Sequence, residues 1–108
     1  MQKKIIGLYN LKKLKKKDKK IGLCHGVFDV VHYGHLQHLI DAKSKVDILI
    51  VSLTSDKFVK KAPHLPINNQ KVRARFLSHF NFIDFVYINN YATSENVIRD
   101  LKPDFYFK

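Results

Sequence analysis

Ile21-Gly22-Leu23-Cys24-His25-Gly26-Val27-Phe28-Asp29-Val30-Val31-His32-Tyr33-Gly34-His35 runs from a short apolar stretch, through a glycine turn, into a segment with helical spacing. Ile21 to Cys24 reads as a buried strand and His25-Gly26 as a turn signal. From Tyr33 to about Lys43 the apolar residues Leu36, Leu39 and Ile40 recur at helical intervals. A strand-to-helix turn of this kind is where an anion is physically expected. Gly26 lets the backbone approach a ligand closely, and the amides that follow can point into the crevice. His32 and His35 fall at the helix start, where unpaired N–H groups and the helix dipole favour negative charge. Three residues apart, the two imidazoles share one face of the first turn, so both can touch one phosphate group. Gly34 between them leaves room for a ligand to lie against the helix.

Outward from this junction the pattern repeats. Asn10 can cap a short helix with Leu11 and Leu14 on one side and lysines on the other. Val46 to Leu53 is nearly all aliphatic and short enough for a buried parallel strand. Pro63, Pro66 and two asparagines mark residues 60–69 as a loop. Asn69 is placed to cap a helix running to about His79, with Val72, Phe76 and Phe80 as its apolar stripe. Ile83 to Ile88 reads as a third strand. Ser94 can cap a short helix containing Val97, Ile98 and Leu101, which Pro103 ends, and Asp104 to Phe107 begins a fourth strand. Alternating strands and helices predict an α/β fold, a Rossmann-like parallel sheet flanked by helices. Ligands then bind along the edge formed by the strand C-termini.

At 108 residues the chain suits one domain with a modest core. No apolar run is long enough to span a membrane, and the N-terminus lacks the apolar region and cleavage site of a secretory signal. The single cysteine, Cys24, cannot form an internal disulfide, which agrees with a cytoplasmic setting. The net charge of +11 is unevenly spread: residues 1–20 hold nine lysines against Asp18 alone, so +8 lies in this leader and +3 in residues 21–108. With only three arginines, Arg73, Arg75 and Arg99, the chain is poor in the planar forks that read phosphates and bases. Nucleic acid is therefore not the expected main partner, and the leader remains the one feature that argues for it. His25, His32, His35 and His38 are close in sequence, but their spacing matches no zinc signature and no cysteine pair completes one. The expected division is a lysine-rich leader or helix over 1–20 and one domain over 21–108.

Gly26-Val27-Phe28-Asp29 followed by His32-Tyr33-Gly34-His35 resembles the GxFDxxHxGH signature of the nucleotidyltransferase superfamily. The resemblance extends from about Ile21 to Lys108. Asp56 to Lys61, Pro66, Arg73, Ile83 to Val86 and Lys102-Pro103-Asp104 recur in the order of its ADP-heptose-synthase-like branch. It implies transfer of a nucleotidyl group from ATP or CTP to a sugar phosphate or polyol phosphate, with Mg2+ accompanying the nucleotide. It further implies that Val27 and Phe28 line the triphosphate turn and that His32 and His35 stabilise phosphate charge. Lys61, or its neighbour Lys60, would bridge the phosphates of the two substrates, and Arg73 would be a further phosphate contact. Asp29 is expected to order the turn. Relatives also suggest a homodimer and a sugar-kinase domain or partner.

Two departures stand out. The branch has Asn-Gly ahead of the signature where this chain has His25-Gly26, so His25 either contacts ligand or caps the strand. In the family, a Gly-containing turn and a Ser/Thr-rich segment follow the last strand. This sequence ends at Phe107-Lys108, so it reads as a domain lacking the C-terminal part of the family fold. A non-catalytic nucleotide-binding module is accordingly an alternative to an enzyme.

Overall fold

The computed structural model describes residues 4–14, 18–59 and 65–108. In chain order its elements are β1 (Ile5–Ile6), α1 (Leu8–Lys12), β2 (Ile21–Gly26), α2 (Tyr33–Lys43) and β3 (Ile48–Thr54). A 3-10 turn (Asp56–Phe58), α3 (Gln70–Ser78), β4 (Phe85–Asn89), α4 (Glu95–Leu101) and β5 (Phe105–Phe107) follow. The five strands form one sheet in the order β1-β4-β3-β2-β5, and every pairing is parallel.

Alternation along the strands builds two cores. Cys24, Leu49, Val51, Leu53 and Val86 face α2 and α3, where Leu39, Ala42, Ala74 and Leu77 cover them. Ile21, Leu23, Ile50 and Tyr87 face the other way, onto Leu11, Leu14, Val97 and Leu101 of the α1 and α4 layer. Aspartates close the edge away from the site by accepting strand amides. Asp47 takes the N–H of Lys20, Asp104 that of Ile21 and Asp84 that of Leu49. Strands β2, β3 and β4 progress in one direction, and the connection through α4 then returns to the far side of β2. The order therefore reverses between β2 and β5, next to the turn that leaves β2.

Three details depart from the sequence reading. β2 continues through His25-Gly26, because His25 pairs with Ser52 and Gly26 with Leu53 in the ladder with β3. α1 starts at Leu8 after Gly7, so Asn10 lies inside it instead of capping it. Asn69 does cap α3, its side chain accepting the N–H of Val72, but the buried face is not the expected one. Val72 and Phe76 are about half exposed, whereas Arg73, Ala74, Leu77 and Ser78 are buried. The aromatic spacing was misleading because Arg73, the bulkiest side chain buried from this helix, finds polar partners inside.

Candidate active site

The turn between β2 and α2 is built by its own side chains. His32 is the N-cap of α2, and the N–H of Gly34 donates to its Nδ1 at 2.9 Å. The backbone N–H of His32 in turn donates to Nδ1 of His35 at 3.1 Å, so the pair forms a capping box made of two imidazoles. Their ring centroids lie 3.9 Å apart. Because each Nδ1 accepts a backbone N–H, the proton of each neutral ring sits on Nε2. Both residues thus present an Nε2–H donor at the start of α2. A Cβ on Gly34 would lie 2.8 Å from Cε1 of His32, so the space at this glycine is already filled by the His32 ring.

Phe28 holds a left-handed backbone (φ 53°), uncommon for a bulky residue, and its ring meets His35 edge-on at 6.3 Å. The same ring covers Gly26, where a Cβ would approach it to 3.1 Å. A cavity of about 380 Å³ opens here. Val27, Phe28, Asp29, Val30 and His35 form its near wall, and Val59, Leu65 and Ile67 its far wall.

Asp29 links the two walls. Its carboxylate accepts the N–H of Ile67 at 2.6 Å and of Asn68 at 2.8 Å, and its carbonyl accepts the side-chain amide of Asn68. Burial pushes its pKa up, but these hydrogen bonds and the Arg73 charge outweigh that and hold it below the usual carboxylate value. Asp29 is therefore a fixed anion occupied with backbone.

Arg73, expected as a phosphate contact, is 1% exposed. It donates to the carbonyls of Asn68 (3.0 Å), Val27 (2.8 Å) and Thr54 (2.7 Å) and pairs with Asp56 at 2.7 Å. Its guanidinium gathers the phosphate turn, the end of β3, the 3-10 turn and the segment before α3. Thr54 and Asn68 could not be read as partners of Arg73, because they and Val27 accept through backbone carbonyls that any residue supplies, whereas Asp56 lies in the stretch that carries the resemblance. Lys60 and Lys61 lie outside the described residues.

His25 ends β2 with Nδ1 at 2.6 Å from Ser52 Oγ and Nε2 at 3.4 Å from Thr54 Oγ1. Burial lowers its pKa, opposed by hydrogen bonding at Ser52. In this arrangement both ring nitrogens point to β3. Cys24 is buried and its thiol is pushed up to about 12, so it offers no thiolate nucleophile.

Residues 23–108 match the sequence model of the cytidylyltransferase-like family, which includes the whole site just described. The chain belongs to the cytidylyltransferase-like family. Curated relatives agree. It is 46% identical over 97 residues to the bifunctional protein HldE of Campylobacter jejuni subsp. doylei, covering 88% of this chain and 21% of that protein. The bifunctional protein HldE of Campylobacter fetus subsp. fetus is 39% identical over 109 residues, covering 99% of this chain and 24% of that protein. The chain thus spans about a fifth to a quarter of the length of these relatives. A lipopolysaccharide core biosynthesis protein from Thermoplasma volcanium GSS1 shares the fold, with a TM-score of 0.75 at 24% identity over 82% of this chain and 72% of that one. The cytidylyltransferase-like family, to which this chain belongs, takes its name from nucleotidyl transfer. Among the described residues, no helix of this domain is long and apolar enough to cross a membrane.

Proposed function

We propose that this cytidylyltransferase-like domain transfers a nucleotidyl group from ATP or CTP to the phosphate of a sugar or polyol phosphate. An oxygen of the acceptor phosphate attacks the α-phosphorus, the bond to the β-phosphate breaks, and pyrophosphate leaves. The observation that carries the reading is the imidazole capping box, which aims two Nε2–H donors from the start of α2. A phosphate monoester is already an anionic nucleophile and needs no strong base. The barrier lies in bringing two polyanions together and in the charge that develops on pyrophosphate. Fixed donors at a helix N-terminus address both.

The nucleotide is assigned to the crevice at the β2/β5 reversal, its phosphates against His32, His35 and the amides of Val27 and Phe28. The cavity on the α3 side then remains for the acceptor, with Lys61 or Lys60 as the bridge between phosphates. Mg2+ bound to the triphosphate would share its charge. The fit for a resident ion is poor: Asp29 is engaged by amides, Asp56 pairs with Arg73, and no three metal-ligating side chains converge among the described residues. The ion is accordingly assigned to the nucleotide and given no protein ligand. Because the relatives bear the name bifunctional, a sugar-kinase domain or partner is a natural companion, and a homodimer a natural assembly.

Pyrophosphate release from ATP and CTP, measured against a panel of sugar and polyol phosphates, tests the reading. Release with at least one pair is expected. A folded protein that releases none with any pair removes the catalytic assignment.

A further inference from the structure

The cavity's two walls come from segments far apart in sequence, and Asn68 joins them. Three of its polar groups are used. Its N–H donates to the Asp29 carboxylate, its side-chain amide to the Asp29 carbonyl, and its own carbonyl accepts from Arg73 Nε. The anchors on either side are themselves fixed. Arg73 is buried on α3 and also holds Val27, on the near wall, through that residue's carbonyl. Asp29 also holds Ile67, on the far wall. Leu65 and Ile67 are thereby set at a defined separation from Val27 and Phe28, with no strand pairing between the two segments to do so.

We propose that Asn68 is a positioning residue: clasped between Asp29 and Arg73, it fixes the far wall of the cavity against the phosphate turn and so orients the phosphorylated acceptor for in-line attack. The inference rests on the functional reading above. It follows from geometry, because displacement through a pentacoordinate phosphorus tolerates little error in the approach of the nucleophile. The clasp sets the far wall, while His35 and Phe28 on the near wall of the same cavity are held by their own contacts, the capping box and the edge-on ring packing.

Asn68→Ala removes the side-chain bond to the Asp29 carbonyl and spares the backbone bonds, while Asp29→Asn replaces one acceptor oxygen with a donor facing an amide. Steady-state kinetics in each substrate are expected to show a lower kcat and an acceptor KM raised about tenfold for Asn68→Ala. The nucleotide KM should stay within about twofold and the melting temperature within a few degrees. Asp29→Asn should be more severe in the same direction. Equal changes in both KM values, or unchanged kinetics in both variants, would overturn the proposal. Amide hydrogen exchange supplies a readout independent of turnover. The N–H of Ile67 should exchange faster in both variants than in the parent chain, as should that of Asn68 in Asp29→Asn, and unaltered exchange would overturn the clasp. Should the parent chain release no pyrophosphate with any pair, the functional reading fails by itself, and the exchange result decides the clasp.

Discussion

His32 and His35 differ in one respect that matters for chemistry: His32 is exposed at the cap, while His35 is partly covered by Phe28. Either changed to alanine should lower turnover by about 10²-fold, a few kcal/mol of transition-state charge stabilisation. Ground-state nucleotide affinity should fall much less. His38, exposed one turn further along α2, is the control, and its alanine variant should keep nearly full turnover in the same assay. Equal damage at His38 would place the chemistry elsewhere. Gly34 gives a subtler test. Alanine there forces the His32 ring to swing away, since the ring is the mobile party. A normal melting curve with turnover reduced nearly as far as in His32→Ala is expected, and unimpaired turnover would argue against the ring's placement. The placement of the two histidines at a helix start was readable from spacing, and the signature from its resemblance to the family. That the pair caps its own helix was not, because histidine is not among the usual capping residues.

At the scale of elements, α3 exerts its effect inward. Arg73→Met should cost about 3 kcal/mol, because three carbonyls lose a donor and Asp56 loses its partner. Arg73→Lys should recover little of it, one ammonium being unable to span four acceptors in different directions. Chemical denaturation of both variants measures this, and full rescue by lysine would show that charge, not fork geometry, matters. The end of β2 carries a pH dependence. Burial holds the His25 pKa below the ordinary histidine value, so the folded state prefers the neutral ring. Its contribution to stability is complete above that ordinary value and is lost as pH falls through the lowered one. Melting temperature should therefore drop more between pH 7.5 and 5 in the parent chain than in His25→Asn. Parallel curves would show that His25 does not titrate with folding. Sequence periodicity located every helix and the strands β2 to β5, yet chose the wrong face of α3. An arginine in a helical window reads as a surface residue, and only the tertiary arrangement shows acceptors waiting for it.

For the whole molecule, the lysine-rich leader reads as an appendage in sequence, yet it enters both sheet and core. Ile5 and Ile6 pair with Val86 and Tyr87, and Leu11 is fully buried. A two-residue strand leaves too little pattern to be read, and the lysines mask the two leucines that matter. Its charge can therefore be probed only by replacing lysines, because removing residues 1–20 also removes β1 and part of the core. That edge pairing also orders events in time. Synthesised before β4, Ile5 and Ile6 have no partner until β4 has emerged, so the sheet closes late and over a long separation. Until then the backbone edge of β4 is open to any other extended chain. Newly made protein lacking the first residues should accordingly form higher-order species during refolding at rising concentration, while the full chain refolds to a single species seen by light scattering.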